Sequence, residues 1–216
     1  MIEVAIIDYG VGNLLSVSRA MVHCGAKVQV TADPAVILAA DRVILPGVGA
    51  FANGMAALRT SGLVAVVHQV AAAGTPLLGI CLGMQMLMAS SEEFGDTDGL
   101  GLIPGRVVQI PGHTSTGEPH KIPHIGWNAL VPASAHTRWQ GGLLDGITPG
   151  EAVYFVHSFM AQPTDPADRL ADCVYGGLSV SASVQRGLVM GCQFHPEKSG
   201  EVGLRVLTNF LRQPCA

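Results

Sequence analysis

The 216-residue chain has few charged and few aromatic side chains, and this scarcity excludes several classes of protein. Charged residues make up 13% of the chain, the formal net charge is −4, and no basic cluster is present. Nucleic acids and anionic membranes are therefore not expected partners. No apolar run is long enough to span a bilayer, and the N-terminus lacks the basic start of a signal peptide and is predicted to form a strand.

Cysteine is also scarce, with five residues at scattered positions and no C-x-x-C pair. An odd number in this arrangement disfavours both a disulfide framework and a zinc site, and it suits a reducing cytoplasm. We therefore expect a cytoplasmic protein. A structural role is the simplest interpretation of four of the cysteines, namely Cys24, Cys173, Cys192 and Cys215.

The hydrophobic content of 49% and the 27 glycines are typical of an α/β protein with a sheet buried on both faces. Strands and helices alternate through the first half, including one long helix over 54–73, which predicts a doubly wound, mostly parallel sheet with flanking helices. After residue 95, short strands between Pro/Gly turns, one of them over 153–160, predict a small antiparallel or mixed extension. We expect one domain over 1–216.

The segment 76–85 (PLLGICLGMQ) holds the most informative residue, Cys81, between Gly79 and Gly83 and before a helix predicted over 84–89. An apolar strand running into such a cysteine is the thiol form of the G-x-S-x-G nucleophile elbow. The sharp turn strains the nucleophile's backbone, and side chains at either glycine would collide with neighbouring backbone. The helix N-terminus favours thiolate over thiol. A buried structural cysteine is the alternative, but it does not need both glycines.

A second segment supplies a base. His195 and Glu197 follow an apolar strand predicted over 188–192, at a strand end where side chains are exposed above a parallel sheet. A thiol needs an imidazole to take its proton, and the imidazole needs a carboxylate to orient it. Taken alone, His195 is an ordinary surface histidine. Combined with the elbow, the sequence predicts Cys81 as nucleophile, His195 as general base and then acid, and Glu197 as orienting carboxylate.

Residues 46–49 (PGVG) follow a strand of the same predicted sheet. Their backbone N–H groups can stabilise a developing oxyanion, and the N–H of the residue after the nucleophile, Leu82, is the other natural donor. The residues alone leave two interpretations equally open, an oxyanion strand or an ordinary loop. The glycines within 8–13 lack the third glycine of a dinucleotide fingerprint, so a tight turn is the better interpretation there.

Longer motifs now support a resemblance. They are IDYGVGNL at 7–14, LPGVGAF at 45–51, GICLGMQ at 79–85, KIPHIGWN at 121–128, YFVHSF at 154–159 and QFHPEKS at 193–199. Together they resemble the class I (triad) glutamine amidotransferases, and more narrowly the glutaminase subunits of imidazole glycerol phosphate synthases from histidine biosynthesis. The resemblance covers residues 2 to about 211. Other triad glutaminases usually carry a Pro-Gly-Gly type of oxyanion strand, whereas this chain has Pro-Gly-Val-Gly.

The resemblance implies a reaction and a partner. Cys81 attacks the side-chain amide of glutamine, ammonia leaves after protonation by His195, and water hydrolyses the thioester, with no cofactor or metal. A separate (β/α)8-barrel cyclase subunit, bound as a heterodimer, uses the ammonia to convert PRFAR to imidazole glycerol phosphate and AICAR. Because ammonia made without an acceptor is wasted, we hypothesise that residues 46–49 must reorient before they accept the oxyanion.

The resemblance also implies roles for further residues. The oxyanion donors are the backbone N–H groups of Val48 and Leu82. The substrate-binding residues are Gly47, Gly49, Gln85, His157, Ser158 and Phe159. The residues expected at or near the cyclase are Asn13, Trp127, Asn128, Tyr154 and Lys198.

Two other functions remain as alternatives. One is a triad glutaminase that serves anthranilate or aminodeoxychorismate synthesis, which the motifs at 46–49 and 121–128 argue against. The other is a catalytically silent scaffold that regulates a partner enzyme, which the intact set of Cys81, His195 and Glu197 argues against. A peptide-cleaving cysteine hydrolase is more distant, because it requires a broad substrate cleft.

Overall fold

The computed structural model of the chain describes residues 1–133 and 139–214. Its first half contains β1 (Glu3–Ile7), α1 (Leu14–His23), β2 (Lys27–Thr31), α2 (Pro34–Ala39), β3 (Arg42–Gly47), α3 (Phe51–Thr60), α4 (Val64–Ala72), β4 (Leu77–Cys81), α5 (Leu82–Met86) and β5 (Met88–Ser91). Its second half contains β6 (Thr97–Asp98), β7 (Ile103–Gln109), β8 (His124–Ala129), β9 (Val131–Pro132), β10 (Ala152–His157), β11 (Phe159–Pro163), β12 (Arg169–Tyr175), β13 (Leu178–Arg186), β14 (Val189–Cys192) and α6 (Gly200–Leu211).

A large mixed sheet forms the centre of the described structure. Its order is β2-β1-β3-β4-β14-β13-β12-β9. Neighbouring strands from β2 to β14 are parallel, and from β14 to β9 each strand is antiparallel to the next. A smaller sheet pairs β10 with β8, and another has the order β11-β7-β5-β6. The predicted α/β fold, with a mostly parallel sheet and an antiparallel extension, is confirmed.

Both faces of the large sheet are buried, as alternating side chains of β1 show. Val4 and Ile6 point into the core layer shared with α1 and α6. Ala5 and Ile7 point into the opposite layer, which contains side chains of α2, α3 and α4. This burial explains why β1, β3 and β4 carry continuous apolar runs, whereas β2 at the edge of the sheet alternates apolar and polar residues.

The single helix predicted over 54–73 is wrong, because the structure has two helices there. α3 ends at Thr60 and α4 begins at Val64, with a bend of 89° between them. Gly62 lies in the left-handed region with φ +72°, which ends a helix and which other residues adopt at a cost. The apolar residues continue across the break because both helices pack on the same sheet face.

Two other predicted elements also differ from the structure. The helix predicted over 84–89 is instead the five-residue α5, which starts directly after Cys81, and residues 88–91 pair with β6 and β7. The strand predicted over 153–160 is two strands, because β10 pairs with β8 whereas β11 pairs with β7. Ser158 lies between them and belongs to neither strand.

No individual helix of the described residues has both the length and the apolar composition needed to cross a membrane. The bent pair of α3 and α4 passes that test only when the two helices are taken together. Their apolar side chains, including Met55, Leu58 and Val67, are buried in the core.

The backbone contact between α5 and β3 gives a prediction about stability. A Cβ atom on Gly83 would lie 1.8 Å from the Leu45 carbonyl oxygen, so Gly83→Ala must push α5 away from β3. We expect the free energy of unfolding, measured by urea titration, to fall by about 3 kcal/mol or more. Gly112→Ala is the control, since a Cβ there meets no atom within 4 Å. Equal stability of the two variants would contradict the tight contact.

Candidate active site

Cys81 occupies a strained turn between β4 and α5. Its φ of 54° and ψ of −112° are unusual for a residue with a side chain. A Cβ on Gly79 would lie 2.7 Å from backbone atoms of Gly83 and Met84, so both flanking glycines are required by close packing. The turn therefore has the elbow geometry that the sequence predicted. The thiol lies at the edge of the sheet where the parallel strands end.

His195 and Glu197 form a buried pair just beyond β14. The Nδ1 atom of His195 lies 2.8 Å from Glu197 Oε1, and the two side chains are 3% and 0% exposed. Because the carboxylate accepts this bond, the Nδ1 atom carries hydrogen and Nε2 remains for the thiol. Burial alone would lower the pKa of His195, but hydrogen bonds with Cys81 and Glu197 and their charges raise it to about 9.

This arrangement favours an imidazolium at His195, next to the thiol of Cys81. A protonated His195 stabilises negative charge on Cys81, and the anion is the nucleophilic form of the thiol. The amide of Asn13 donates a further hydrogen bond to Glu197 Oε1 at 3.4 Å. Asn13, which the resemblance placed near a partner, thus also contacts the carboxylate of the predicted triad.

Gln193 connects Cys81 with Gln85. Its Oε1 accepts a hydrogen bond from Gln85 Nε2 at 2.9 Å, and its own Nε2 donates towards Cys81 Sγ at 3.8 Å. The second hydrogen on Gln85 Nε2 goes to the Phe159 carbonyl at 3.1 Å. Both donors of Gln85 are used, so its Oε1, which accepts no hydrogen bond within the described residues, is left for a ligand. No role for Gln193 was predicted from the sequence.

A cavity of about 330 Å³ opens over the thiol. Its lining contains the predicted residues Val48, Gly49, Cys81, Leu82, Gln85, His157, Ser158, Phe159 and His195, together with Glu93, Pro123 and Val156. The predicted residue Gly47 is next to this lining but not part of it, and a Cβ on Gly47 would meet the Tyr9 hydroxyl at 2.7 Å.

Glu93 is a cavity residue that the sequence analysis missed. Its Oε2 accepts a hydrogen bond of 2.6 Å from the Phe51 N–H at the start of α3, a position that favours negative charge. Its other oxygen accepts no hydrogen bond in the described parts of the chain and is available to a cation. Nothing in the local sequence distinguished it from its neighbour Glu92, because the two differ only in what the fold places beside them.

A larger groove of about 450 Å³ lies between β2 and α2. It is lined mainly by alanine and valine, with Glu3 and Lys27 at its rim, and it contains no cysteine or histidine. The smaller cavity over Cys81 is therefore the better candidate for chemistry.

Trp127 and Tyr154 lie on the exposed side of β8 and β10, and Asn128 points from β8 to the opposite side, towards His124. Asn13 contacts Glu197, and Lys198 follows it in the chain. Trp127 is 59% exposed and meets Tyr154 edge-on, with ring centroids 6.2 Å apart. Lys198 is exposed, whereas the Asn128 amide is held by the Val174 carbonyl at 2.9 Å. Trp127 and Ile125 are two large apolar side chains exposed on the same strand. Such an exposed apolar patch is unusual on a surface that faces only water, and it is typical of a contact surface.

The other cysteines differ from Cys81 in their surroundings. Cys173 and Cys192 are completely buried, and burial raises the pKa of both thiols, that of Cys173 to about 12. Cys24 is partly buried, and its thiol pKa is also raised by burial. Cys215 lies outside the described residues. A neutral, buried thiol is unreactive, which agrees with the structural role expected for Cys173 and Cys192.

The contact between His195 and Cys81 predicts how the thiol reacts. Without a nearby imidazolium, we expect alkylation of Cys81 by iodoacetamide at neutral pH to slow by about tenfold or more in His195→Asn. Peptide mapping by mass spectrometry separates Cys81 from the partly buried Cys24. His68→Asn, at an exposed histidine on α4, is the control and should react like the wild type. An unchanged rate in His195→Asn would mean that His195 does not activate the thiol.

Comparison with known proteins identifies the family of the chain. The family model described as "Glutamine amidotransferase class-I" matches residues 5–213. Imidazole glycerol phosphate synthase subunit HisH 1 of Legionella pneumophila (strain Lens) is 52% identical over 212 residues, which cover 98% of this chain and all of that protein. The HisH subunit of Geobacillus kaustophilus (strain HTA426) is 49% identical over 208 residues, covering 96% of this chain and 95% of the relative.

Solved structures support the fold independently. The structure described as PurLQS from Thermotoga maritima superposes with a TM-score of 0.72 at 21% identity, covering 98% of this chain and 99% of that one. A crystal structure of a glutamine amidotransferase gives a TM-score of 0.71 at 17% identity, with 97% of each chain covered. With half of its residues shared with HisH subunits over nearly its whole length, the chain belongs to the class-I glutamine amidotransferases and, among them, to the HisH subunits of imidazole glycerol phosphate synthase.

Proposed function

We propose that this chain hydrolyses glutamine to glutamate and ammonia with Cys81, His195 and Glu197, and that it delivers the ammonia to a cyclase subunit in histidine biosynthesis. One observation carries the catalytic part of the proposal. The strained Cys81 interacts with an imidazole whose other nitrogen is held by a buried carboxylate at 2.8 Å, on the wall of a cavity. The identity with HisH subunits supports the biosynthetic part.

The proposed reaction has two halves. The Cys81 thiolate attacks the side-chain carbonyl carbon of glutamine, and the new oxyanion is stabilised by the backbone N–H groups of Val48 and Leu82. His195 gives its proton to the leaving nitrogen, which departs as ammonia and leaves a thioester on Cys81. His195 then takes a proton from water, which attacks the thioester and releases glutamate. Glu197 keeps the imidazole in the required orientation through both halves.

The cavity provides groups that fit the two ends of glutamine. Gln85 Oε1 and the carboxylate of Glu93 are acceptors with no hydrogen atoms to offer, and they suit the α-ammonium group. The backbone around Gly47, Gly49 and the segment 157–159 is proposed to hold the remainder of the amino-acid moiety. This division leaves the side-chain amide pointing at Cys81.

The segment that carries Val48, directly after β3, has the features needed for a controlled oxyanion site. β3 pairs with β4 up to Gly47 opposite Cys81, and Gly49 has a φ of +92°. The Tyr9 hydroxyl donates to the Pro46 carbonyl at 2.7 Å, which fixes the strand just before the glycines. We propose that the segment from Gly47 to Gly49 turns its peptide groups when the partner binds, because glycine permits both orientations.

The proposed partner is a (β/α)8-barrel cyclase that forms a heterodimer with this chain. Its contact surface is proposed to include the exposed side of β8 and β10, with Asn13, Trp127, Asn128, Tyr154 and Lys198 at or near it. The chain is proposed to act in the cytoplasm as a single catalytic domain over 1–216. Its own chemistry uses side chains and backbone N–H groups alone.

The first experiment measures glutamate release from glutamine by the chain alone, with the cyclase, and with the cyclase plus PRFAR. We expect a steep rise only in the complete mixture. In Cys81→Ala the rate of the complete mixture should fall by about 10⁴-fold or more, whereas Cys173→Ala, which keeps the nucleophile, should stay active. A rate independent of the cyclase would point to a different synthase partner. The absence of glutamate under every condition would favour the silent scaffold.

Glu93 gives a prediction about substrate affinity. Glu93→Gln keeps an oxygen for the Phe51 N–H but removes the negative charge, so we expect the KM for glutamine to rise about tenfold or more. The kcat should change much less, because Glu93 is not part of the triad. Glu92→Gln is the matched control, since Glu92 is exposed and bonds to Arg106 and the Gln109 N–H outside the cavity. Equal KM values in both variants would exclude the assigned role.

A further inference from the structure

Two buried histidines face each other behind the substrate cavity. His124 on β8 and His157 on β10 are cross-strand partners, they are 3% and 6% exposed, and His124 Nδ1 lies 3.0 Å from His157 Nε2. Neither side chain has a part in the triad. A buried pair of ionisable rings is expensive to retain unless every nitrogen atom has a partner.

Hydrogen-bond partners at both ends of the pair determine which nitrogen atoms carry hydrogen. His157 Nδ1 lies 2.8 Å from the Phe159 carbonyl, which can only accept, so this nitrogen must donate. At the other end, Asn128 Oδ1 accepts from the Ala129 N–H at 2.8 Å and Asn128 Nδ2 donates to the Val174 carbonyl. These bonds fix the amide orientation, so Asn128 also presents Nδ2 to His124 Nε2, at 3.3 Å.

A single directed chain of hydrogen bonds satisfies all these contacts. Asn128 donates to His124 Nε2, His124 Nδ1–H donates to His157 Nε2, and His157 Nδ1–H donates to the Phe159 carbonyl. Both rings must then be neutral with hydrogen on Nδ1, which is the less common neutral form. A proton added to either ring would place two N–H groups against each other.

The surroundings favour the same neutral state. Burial, together with the charge of His120, lowers the pKa of His124 to about 4. Burial also lowers the pKa of His157 to about 4, against the hydrogen bond to Phe159 and with help from the charges of His124 and His195. Among the described residues, Tyr175 is a further titratable group against the pair, and its ring stacks on His124 with centroids 4.1 Å apart.

This chain of hydrogen bonds ends at the carbonyl oxygen of Phe159, a residue that lines the cavity. The Phe159 carbonyl receives the His157 bond and also the Gln85 Nε2 bond, so one oxygen atom holds both side chains. Gln85 in turn bonds to Gln193, which donates towards Cys81. The orientation of the Gln85 amide, and thus which atom it offers to the substrate, depends on where this carbonyl lies.

We propose that His124 is a positioning residue for glutamine hydrolysis, which through His157 holds the Phe159 carbonyl and thereby the Gln85 amide in the orientation that binds substrate. The proposal rests on the proposed glutaminase function. It adds a direct connection from Asn128, which follows Trp127 on the strand expected to meet the cyclase, to the substrate cavity. A shift of β8 therefore changes substrate affinity without a change in the triad.

The kinetic test uses variants of His124 in the complex with cyclase and PRFAR. His124→Phe keeps the stacking on Tyr175 but has no donor for His157, and we expect the KM for glutamine to rise about tenfold while kcat stays within about twofold. His124→Asn retains an N–H near the Nδ1 position and should recover most of the loss. His120→Phe is the control at a neighbouring histidine outside the chain of hydrogen bonds, and its KM should be unchanged.

The spectroscopic test uses the wild-type protein and does not depend on a variant that folds. Nitrogen-15 NMR of the histidine rings at neutral pH should show His124 and His157 both neutral with hydrogen on Nδ1. On acidification, the Gln85 side-chain amide resonance should shift together with the protonation of this pair. Its position reports the bond to Phe159 directly, which a histidine with a purely structural role would not affect.

The outcomes separate this proposal from the function on which it rests. An imidazolium or an Nε2–H ring at either histidine at neutral pH, or a Gln85 signal that ignores their protonation, overturns the proposal. An unchanged KM in a folded His124→Phe variant overturns it as well. A wild-type complex that releases no glutamate instead refutes the glutaminase function, which the NMR result does not test.

Discussion

The close approach of Gly83 to the Leu45 carbonyl is the contact on which the rest of the site depends. It lets α5 start at the end of β4, directly against β3, so that Cys81 must adopt a positive φ and present its thiol above the sheet. The same contact places the segment after Leu45, with its two glycines, beside the nucleophile. A strained backbone of this kind persists only where the surrounding packing leaves no room for a relaxed alternative. Here that packing is made by the parallel strands β3 and β4 together with Gly83.

Around this turn, the polar groups form a network of connected hydrogen bonds. Gln193 contacts both Cys81 and Gln85, the Phe159 carbonyl receives donors from two sides, and Asn13 adds to the bond that His195 makes with Glu197. Most of these atoms are buried, so each hydrogen bond is stronger than in water and each loss is more costly. Such a network holds the side chains of Cys81, Gln85 and His195 in place, and a site that is ordered in advance avoids reorganising during a reaction.

The sequence predicted the elements whose signal is local and missed those set by distant packing. The elbow, the pair His195 and Glu197, and the parallel strands could be predicted because glycine spacing and continuous apolar runs each occur in few kinds of local structure. The break at Gly62 was missed because α3 and α4 pack on one sheet face, which makes their apolar pattern continuous. Glu93 and Gln193 were missed because their roles come from the strands and loops beside them, and no spacing in the chain encodes those neighbours.

The separation of β10 and β11 at Ser158 has a mechanical consequence. His157 is in the two-stranded sheet and Phe159 is in the four-stranded one, so the wall of the cavity is made where two sheets meet. The shape of the cavity therefore depends on how the two sheets are packed together as well as on the side chains that line it. Substitutions far from Cys81, at positions that pack one sheet against the other, can therefore reshape the cavity without touching its lining.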